Sequence, residues 1–169
     1  MPFSYSFHDP QVVQFVSGLK PKRILDIGPG AGKWGRLLAP LAERIDCVEI
    51  HEPYVHQFKL QSIYHQVYVG NVMDFSFEPH DYSLAIVADI LEHLAVLDAQ
   101  VLLERMRRVN LPVLVLVPYN YEQGECHDNP FEKHEQPELT EELFHERYPG
   151  FAKVCGNHLQ GVFYRGSFE

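Results

Sequence analysis

Residues 23–38 read RILDIGPGAGKWGRLL. Ile24, Leu25 and Ile27 suit a short buried strand, Gly28, Gly30 and Gly32 a turn, and Trp34, Leu37, Leu38 and Leu41 one face of a helix. Across the glycines the apolar period passes from two to near 3.6. Strand, glycine turn and helix form the opening unit of an open α/β sheet, where ligands sit outside the carboxyl ends of the strands. The glycines let backbone N–H groups approach a ligand closely, and the helix start adds partial positive charge.

Two motifs overlap in this stretch. Residues 30–35, GAGKWG, match G-x-G-x-x-G, a dinucleotide pattern. Residues 26–32, DIGPGAG, match D-x-G-x-G-x-G, and on this run the chain closely resembles class I S-adenosylmethionine-dependent methyltransferases. Asp26 favours the second register, since a carboxylate repels a pyrophosphate but attracts the ammonium and sulfonium of S-adenosylmethionine. The dinucleotide register would also place Gly28-Pro29 where the strand should continue, and proline fits a central strand poorly. A phosphate-binding P-loop is excluded, because Gly32-Lys33 is followed by Trp34 rather than Ser or Thr.

With 169 residues the chain is long enough for one domain with a proper core, spanning residues 1–169. Its 14 Lys+Arg against 23 Asp+Glu give a net charge of −9, which argues against general nucleic-acid binding. The opening MPFSYSFHDP lacks the basic and apolar regions of a signal peptide, and no apolar run approaches membrane-spanning length. Cys47, Cys126 and Cys155 lie far apart and read as small, mostly buried thiols. A cytoplasmic protein is expected, with no membrane partner; the oligomeric state is left open.

An N-terminal helix is expected within residues 1–20, with Asp9-Pro10 as cap and first residue and Val12, Val13, Val16 and Leu19 on its apolar face. After the glycine unit, residues 45–50 form a second strand ending on Glu49. Residues 53–64 form a helix, and 66–72 a third strand. Residues 82–89 form a fourth strand ending on Asp89, followed by Leu91-Glu92-His93-Leu94. A helix over 95–109, a strand over 111–117 and a helix over 138–148 follow. The tail, residues 151–168, offers two short strands around Gly156-Asn157. Short apolar strands alternating with helices predict a parallel sheet covered on both faces.

The resemblance implies the three-layer Rossmann-like methyltransferase fold, a mostly parallel seven-stranded sheet in the order 3-2-1-4-5-7-6 with helices on both faces. It also implies S-adenosylmethionine as the cofactor, with S-adenosylhomocysteine as product. Asp26, Gly28, Gly30 and Gly32 would serve the methionine end and Glu49 the ribose, with Ile50 against the adenine. Asn71 and Val72 would hold the adenine edge, Asp74 being a neighbouring alternative, and Asp89 would stand near the sulfonium. Glu49 equally suits a nicotinamide cofactor. A reductase on GAGKWG therefore stays open, as does a noncatalytic ligand-binding or regulatory module.

The acceptor is less legible. No D/N/S-P-P-Y run ends the fourth strand, which reads Ala88-Asp89-Ile90-Leu91, and no Pro-Cys nucleophile follows it. The expectation is a small-molecule acceptor. Residues 118–137, PYNYEQGECHDNPFEKHEQP, break every periodicity and leave the carboxyl end of the fifth strand. A loop so long and aromatic should hang over the ligand crevice and wall the acceptor. His127 and His134 are the preferred bases, ahead of His93. Cys126, His127 and His134 match no standard zinc spacing, so no metal site is expected.

Overall fold

The computed structural model describes residues 4–126 and 129–167. Seven strands form one sheet: β1 (Arg23–Ile27), β2 (Arg44–Glu49), β3 (Gln66–Val69), β4 (Leu84–Ala88), β5 (Val113–Pro118), β6 (Ala152–Gly156) and β7 (Gln160–Arg165). Their order is β3-β2-β1-β4-β5-β7-β6, as the resemblance implies. β1 to β5 are parallel, while β7 runs antiparallel to both β5 and β6. Because β1 pairs with β2 on one side and β4 on the other, successive crossovers leave in opposite directions and open a crevice above their carboxyl ends.

Among the described residues five α-helices cover the sheet: α1 (Asp9–Leu19), α2 (Lys33–Leu38), α3 (Glu52–Gln57), α4 (Val96–Arg108) and α5 (Glu141–Arg147). Alternation along each strand sorts the core into two layers. Ile24, Ile45, Leu84, Ile86, Leu114 and Leu116 pack with Val12, Val16, Trp34 and Leu38. On the opposite face Leu25, Ile27, Val87, Val113 and Val115 pack with Leu102, Leu103 and Met106 of α4 and with Phe144 and Phe163. Among the described residues no helix is long and apolar enough to cross a membrane. The three cysteines are free thiols, Cys47 fully buried and the other two partly so.

Several expected boundaries shift for local reasons. His8 rather than Asp9 is the N-cap of α1, so Asp9 and Pro10 occupy its first turn. Pro40 closes α2 into a 3-10 turn, Ala39–Leu41. The helix expected over 53–64 stops after Gln57, because Lys59 adopts a left-handed φ of 53° before a 3-10 turn at Leu60–Ser62. The interruption turns Leu60 and Tyr64 inward, to 0% and 4% exposure. β3 ends at Val69, three residues early. Gly70 has φ 152°, and the Asn71 side chain accepts from the Met73 N–H, capping a 3-10 turn at Val72–Asp74. Helix α5 is shorter than expected, starting only after Thr140, whose side chain accepts from the Leu143 N–H.

Candidate active site

The turn after β1 needs its glycines. Gly28, Gly30 and Gly32 have φ of 63°, 51° and 78°. At Gly28 a Cβ would also lie 2.1 Å from Ile90 Cδ1, so a side chain there would push into the residue flooring the crevice from the β4 side.

Asp26 stands behind this turn rather than in the crevice wall. It shares the sheet face of Ile24, is 1% exposed, and its Oδ2 accepts from the Tyr64 hydroxyl at 2.5 Å. The same hydroxyl accepts from the Gly35 N–H at 3.1 Å. Burial pushes the Asp26 carboxyl up to about 7, against the lowering effect of the Tyr64 hydrogen bond. Its reach to a ligand runs through the turn it supports.

Glu49 ends β2 inside the crevice, 4% exposed, with Oε1 accepting from the His51 N–H at 2.8 Å. Burial raises its carboxyl to about 7, while the backbone N–H groups of His51, Gly30 and Ile50 pull the other way. A cavity of about 90 Å³ joins it to Gly28, Pro29, Gly30, Ile50, Asp89 and Phe131. Beside it, a slot of about 230 Å³ runs between Ile50, Asn71, Val72, Ile90, Leu94 and Phe131. It is mostly apolar with a few polar groups at its edge, the character of a small-molecule pocket. The Asn71 oxygen accepts from the Met73 N–H at 2.9 Å, which takes up one of its two lone pairs. Arg105 of α4 holds this edge by donating to the carbonyls of Met73, at 2.5 Å, and Phe75.

Asp89 follows β4 with φ of 54°, a left-handed conformation unusual for a residue with a side chain. Its Oδ1 accepts from Gln160 Nε2 at 3.4 Å, and its buried Oδ2 has no hydrogen-bond partner among the described residues. Burial raises this carboxyl; the Lys33 charge opposes that.

Beyond Asp89 a third cavity, about 70 Å³, is lined by Tyr5, Glu92, His93, Tyr121, Gln123 and His134. Three chain segments build it, Tyr5 coming from the stretch before α1. Leu91–His93 is a 3-10 turn after β4; His134 comes from the long loop after β5. Gln136, 2% exposed, ties the last two together. Its Nε2 donates to the carbonyls of Leu91 and Leu94 at 2.8 and 2.9 Å, while its Oε1 accepts from Tyr148 and Arg147 at 2.8 and 3.0 Å. The N–H groups of Glu135 and Gln136 both donate to the Glu92 carbonyl. The loop is further held by Tyr54 donating to Glu132 at 2.8 Å and by Gln123 Nε2 donating to the Glu132 carbonyl at 2.6 Å.

His93 and His134 each donate from Nδ1 to a backbone carbonyl, Lys133 O at 3.1 Å and Tyr121 O at 2.7 Å. Each proton sits on Nδ1, so Nε2 carries the lone pair. Burial holds both imidazoles below the ordinary value, His93 at about 4. Both are neutral at pH 7, and His93 is the weaker base.

The crevice thus gathers Gly28, Gly30, Glu49, Ile50, Asn71, Val72, Asp89, His93 and His134 of the residues singled out in the sequence. Asp26 and Gly32 lie behind its wall. His127 lies outside the described residues. Glu92, Tyr121, Gln123 and Phe131 received no individual role from the sequence as ligand or proton carrier. Only the position of Glu92, an acid flanked by leucine and histidine at a strand end, could have flagged it.

A family model described as a methyltransferase domain matches residues 24–112. No curated protein matches the chain. Among solved structures, the N-terminal domain of EvdMO1 with SAH bound is similar at a TM-score of 0.71 and 14% identity, covering 96% of this chain and 82% of that one. PigF with SAH gives 0.70 and 14%, covering 96% and 55%. The N-methyltransferase NodS from Bradyrhizobium japonicum WM9 gives 0.66 and 12%, covering 97% and 98%. At these identities the likeness carries the fold. The chain spans about half the length of PigF.

Proposed function

The chain belongs to the methyltransferase-domain family, and from that premise we propose that it methylates a small-molecule acceptor held between Asp89, His93 and His134. Membership decides between the two glycine registers: the cofactor is S-adenosylmethionine, and the enzyme a methyltransferase. One observation supports the placement of the acceptor. His93 lines all three cavities, the apolar slot, the Glu49 cavity and the His134 cavity, so these meet at one point.

The residues fit the cofactor. The apolar slot takes the adenine and Glu49 accepts from the ribose hydroxyls. Asp89 Oδ2, without a hydrogen-bond partner among the described residues, faces the positive end of the ligand. S-adenosylmethionine supplies, when bound, a methyl whose bond to sulfur breaks with the electron pair staying on sulfur. The protein's part is to align the acceptor in line with that bond and exclude water. Tyr5, Tyr121 and Gln123 close the acceptor cavity, and its small volume admits one functional group at a time. His93 orients the group through its Nε2 lone pair. His134 takes the acceptor proton where one must leave. A chain of net charge −9 with acidic groups at this cavity favours a neutral or cationic acceptor over a polyanion.

The test is a pair of titrations with a transfer assay. S-adenosylhomocysteine should bind and raise the thermal midpoint, while NADH at equal concentration should do neither. Methyl transfer from labelled S-adenosylmethionine to a panel of small hydroxyl and amine compounds should then identify the acceptor. Stabilisation by NADH alone, or transfer to protein or nucleic acid but to no small compound, would sink the proposal.

A further inference from the structure

We infer that Glu92, His93 and His134 form a binding site for a divalent transition-metal ion. The ligand-capable atoms of these three side chains all lie within 4.8 Å of one another. Metal–ligand bonds of about 2.1 Å in a tetrahedral shell place ligand atoms about 3.4 Å apart, so an ion would draw the widest-spaced pair together by up to about 1.4 Å.

Three independent features point to a cation. The first is Glu92: it is 1% exposed, and neither carboxylate oxygen has a hydrogen-bond partner among the described residues. A buried carboxylate with no partner is costly. An ion in the cavity offsets that cost. The second is tautomer. Both histidines donate Nδ1–H to backbone carbonyls, the outer hydrogen bond that metal-ligating histidines usually make, and this leaves both Nε2 lone pairs for one ion. The third is rigidity. Gln136 and the Glu92 carbonyl lock the two contributing segments together, so the set is preformed rather than gathered from mobile side chains.

Two imidazoles and a carboxylate select a first-row transition ion over magnesium or calcium, which prefer all-oxygen shells. Three protein ligands leave coordination positions open toward the cavity shared with Asp89 and Tyr121. Taken with the methyl-transfer reading, on which only this consequence rests, the acceptor is a hydroxyl compound. Its oxygen would coordinate the ion, lose its proton to water more readily, and form the new O–CH₃ bond as the S–CH₃ bond breaks. The ion would then replace His134 as the activating group.

The experiment is a Co²⁺ titration of the full purified chain, followed by visible d–d absorption and by calorimetry. One equivalent should bind, and Zn²⁺ should displace it where Mg²⁺ does not. Glu92→Gln and His134→Ala should each weaken Co²⁺ at least tenfold. His56→Ala, an exposed histidine on α3, should leave it unchanged. Metal-free Glu92→Gln should melt higher than the wild type, because the buried carboxylate is gone, and should lose the Co²⁺-dependent rise. Absence of stoichiometric binding would overturn the site, as would equal affinity in the wild type and either folded variant. S-adenosylhomocysteine binding is read in the same samples. Its loss with Co²⁺ binding intact would fault the methyltransferase reading alone, and the converse the metal site alone.

Discussion

The imidazole rings of His93 and His134 stand edge to face with centroids 4.6 Å apart and planes at 80°. One rides the turn after β4 and the other the loop after β5. Their meeting depends on Gln136, which bonds the first segment through its amide nitrogen and α5 with its flank through its amide oxygen. The end of the crevice proposed for the acceptor therefore joins two loops and the stretch that carries Tyr5, whereas the end proposed for the cofactor is built on strand termini.

Gln136→Leu should separate these ends. The substitution keeps the side-chain volume but strands the Leu94 carbonyl and the Tyr148 hydroxyl and takes one of the two bonds to the Leu91 carbonyl, costing about 2–4 kcal/mol of folding free energy. Urea denaturation measures that loss. S-adenosylhomocysteine affinity should stay within about threefold, because Leu94 is the one named slot residue that Gln136 bonds, and only through its backbone carbonyl, while turnover on an identified acceptor should fall.

Glu49→Ala should weaken S-adenosylhomocysteine and free adenosine alike, by roughly ten- to a hundredfold, through loss of hydrogen bonds to an ionised carboxylate. Methionine binding should not change. Because burial holds Glu49 near 7, wild-type affinity should also rise as pH increases from about 6 to about 8 and the carboxylate ionises. Calorimetry across that range, with the alanine variant showing no such rise, checks both statements.

Asp26 sets a stability profile. Its folded value of about 7 exceeds the ordinary 3.8, so the unfolded chain releases this proton at lower pH than the folded one. Its contribution is fully present below about pH 4 and is lost as pH rises to about 7. Glu49, raised in the same direction, adds to the trend. Asp26→Asn should flatten the profile and stabilise the ligand-free protein above neutrality by on the order of 2–4 kcal/mol. Thermal melts from about pH 5 to about pH 8 decide it. A wild type that grows more stable with pH would contradict it.

Phe131 is 47% exposed yet lines both the apolar slot and the Glu49 cavity. Phe131→Ala should leave stability within about 0.5 kcal/mol, as for most exposed positions. It should weaken S-adenosylhomocysteine roughly three- to tenfold by removing an aromatic wall of the slot. An unchanged affinity would place the adenine elsewhere.

Residues 23–38 alone were enough to determine the class of fold, because strand, glycine turn and helix are local patterns written in apolar period and in positive-φ tolerance. Glu49 and Asp89 were legible for the same reason: in a parallel sheet ligands sit at the carboxyl ends of the strands, where both residues fall. Boundaries such as the early end of β3 were not, since Asn71 chooses between extending a ladder and capping its own turn. Nor was the inward role of Asp26, which needs Tyr64 delivered by a broken helix. Only the tertiary structure could bring Glu92 and His93 to His134. Sequence spacing reports neighbours along one element, whereas this cluster joins two loops through one glutamine, and the burial that makes Glu92 chemically demanding exists only once they have closed.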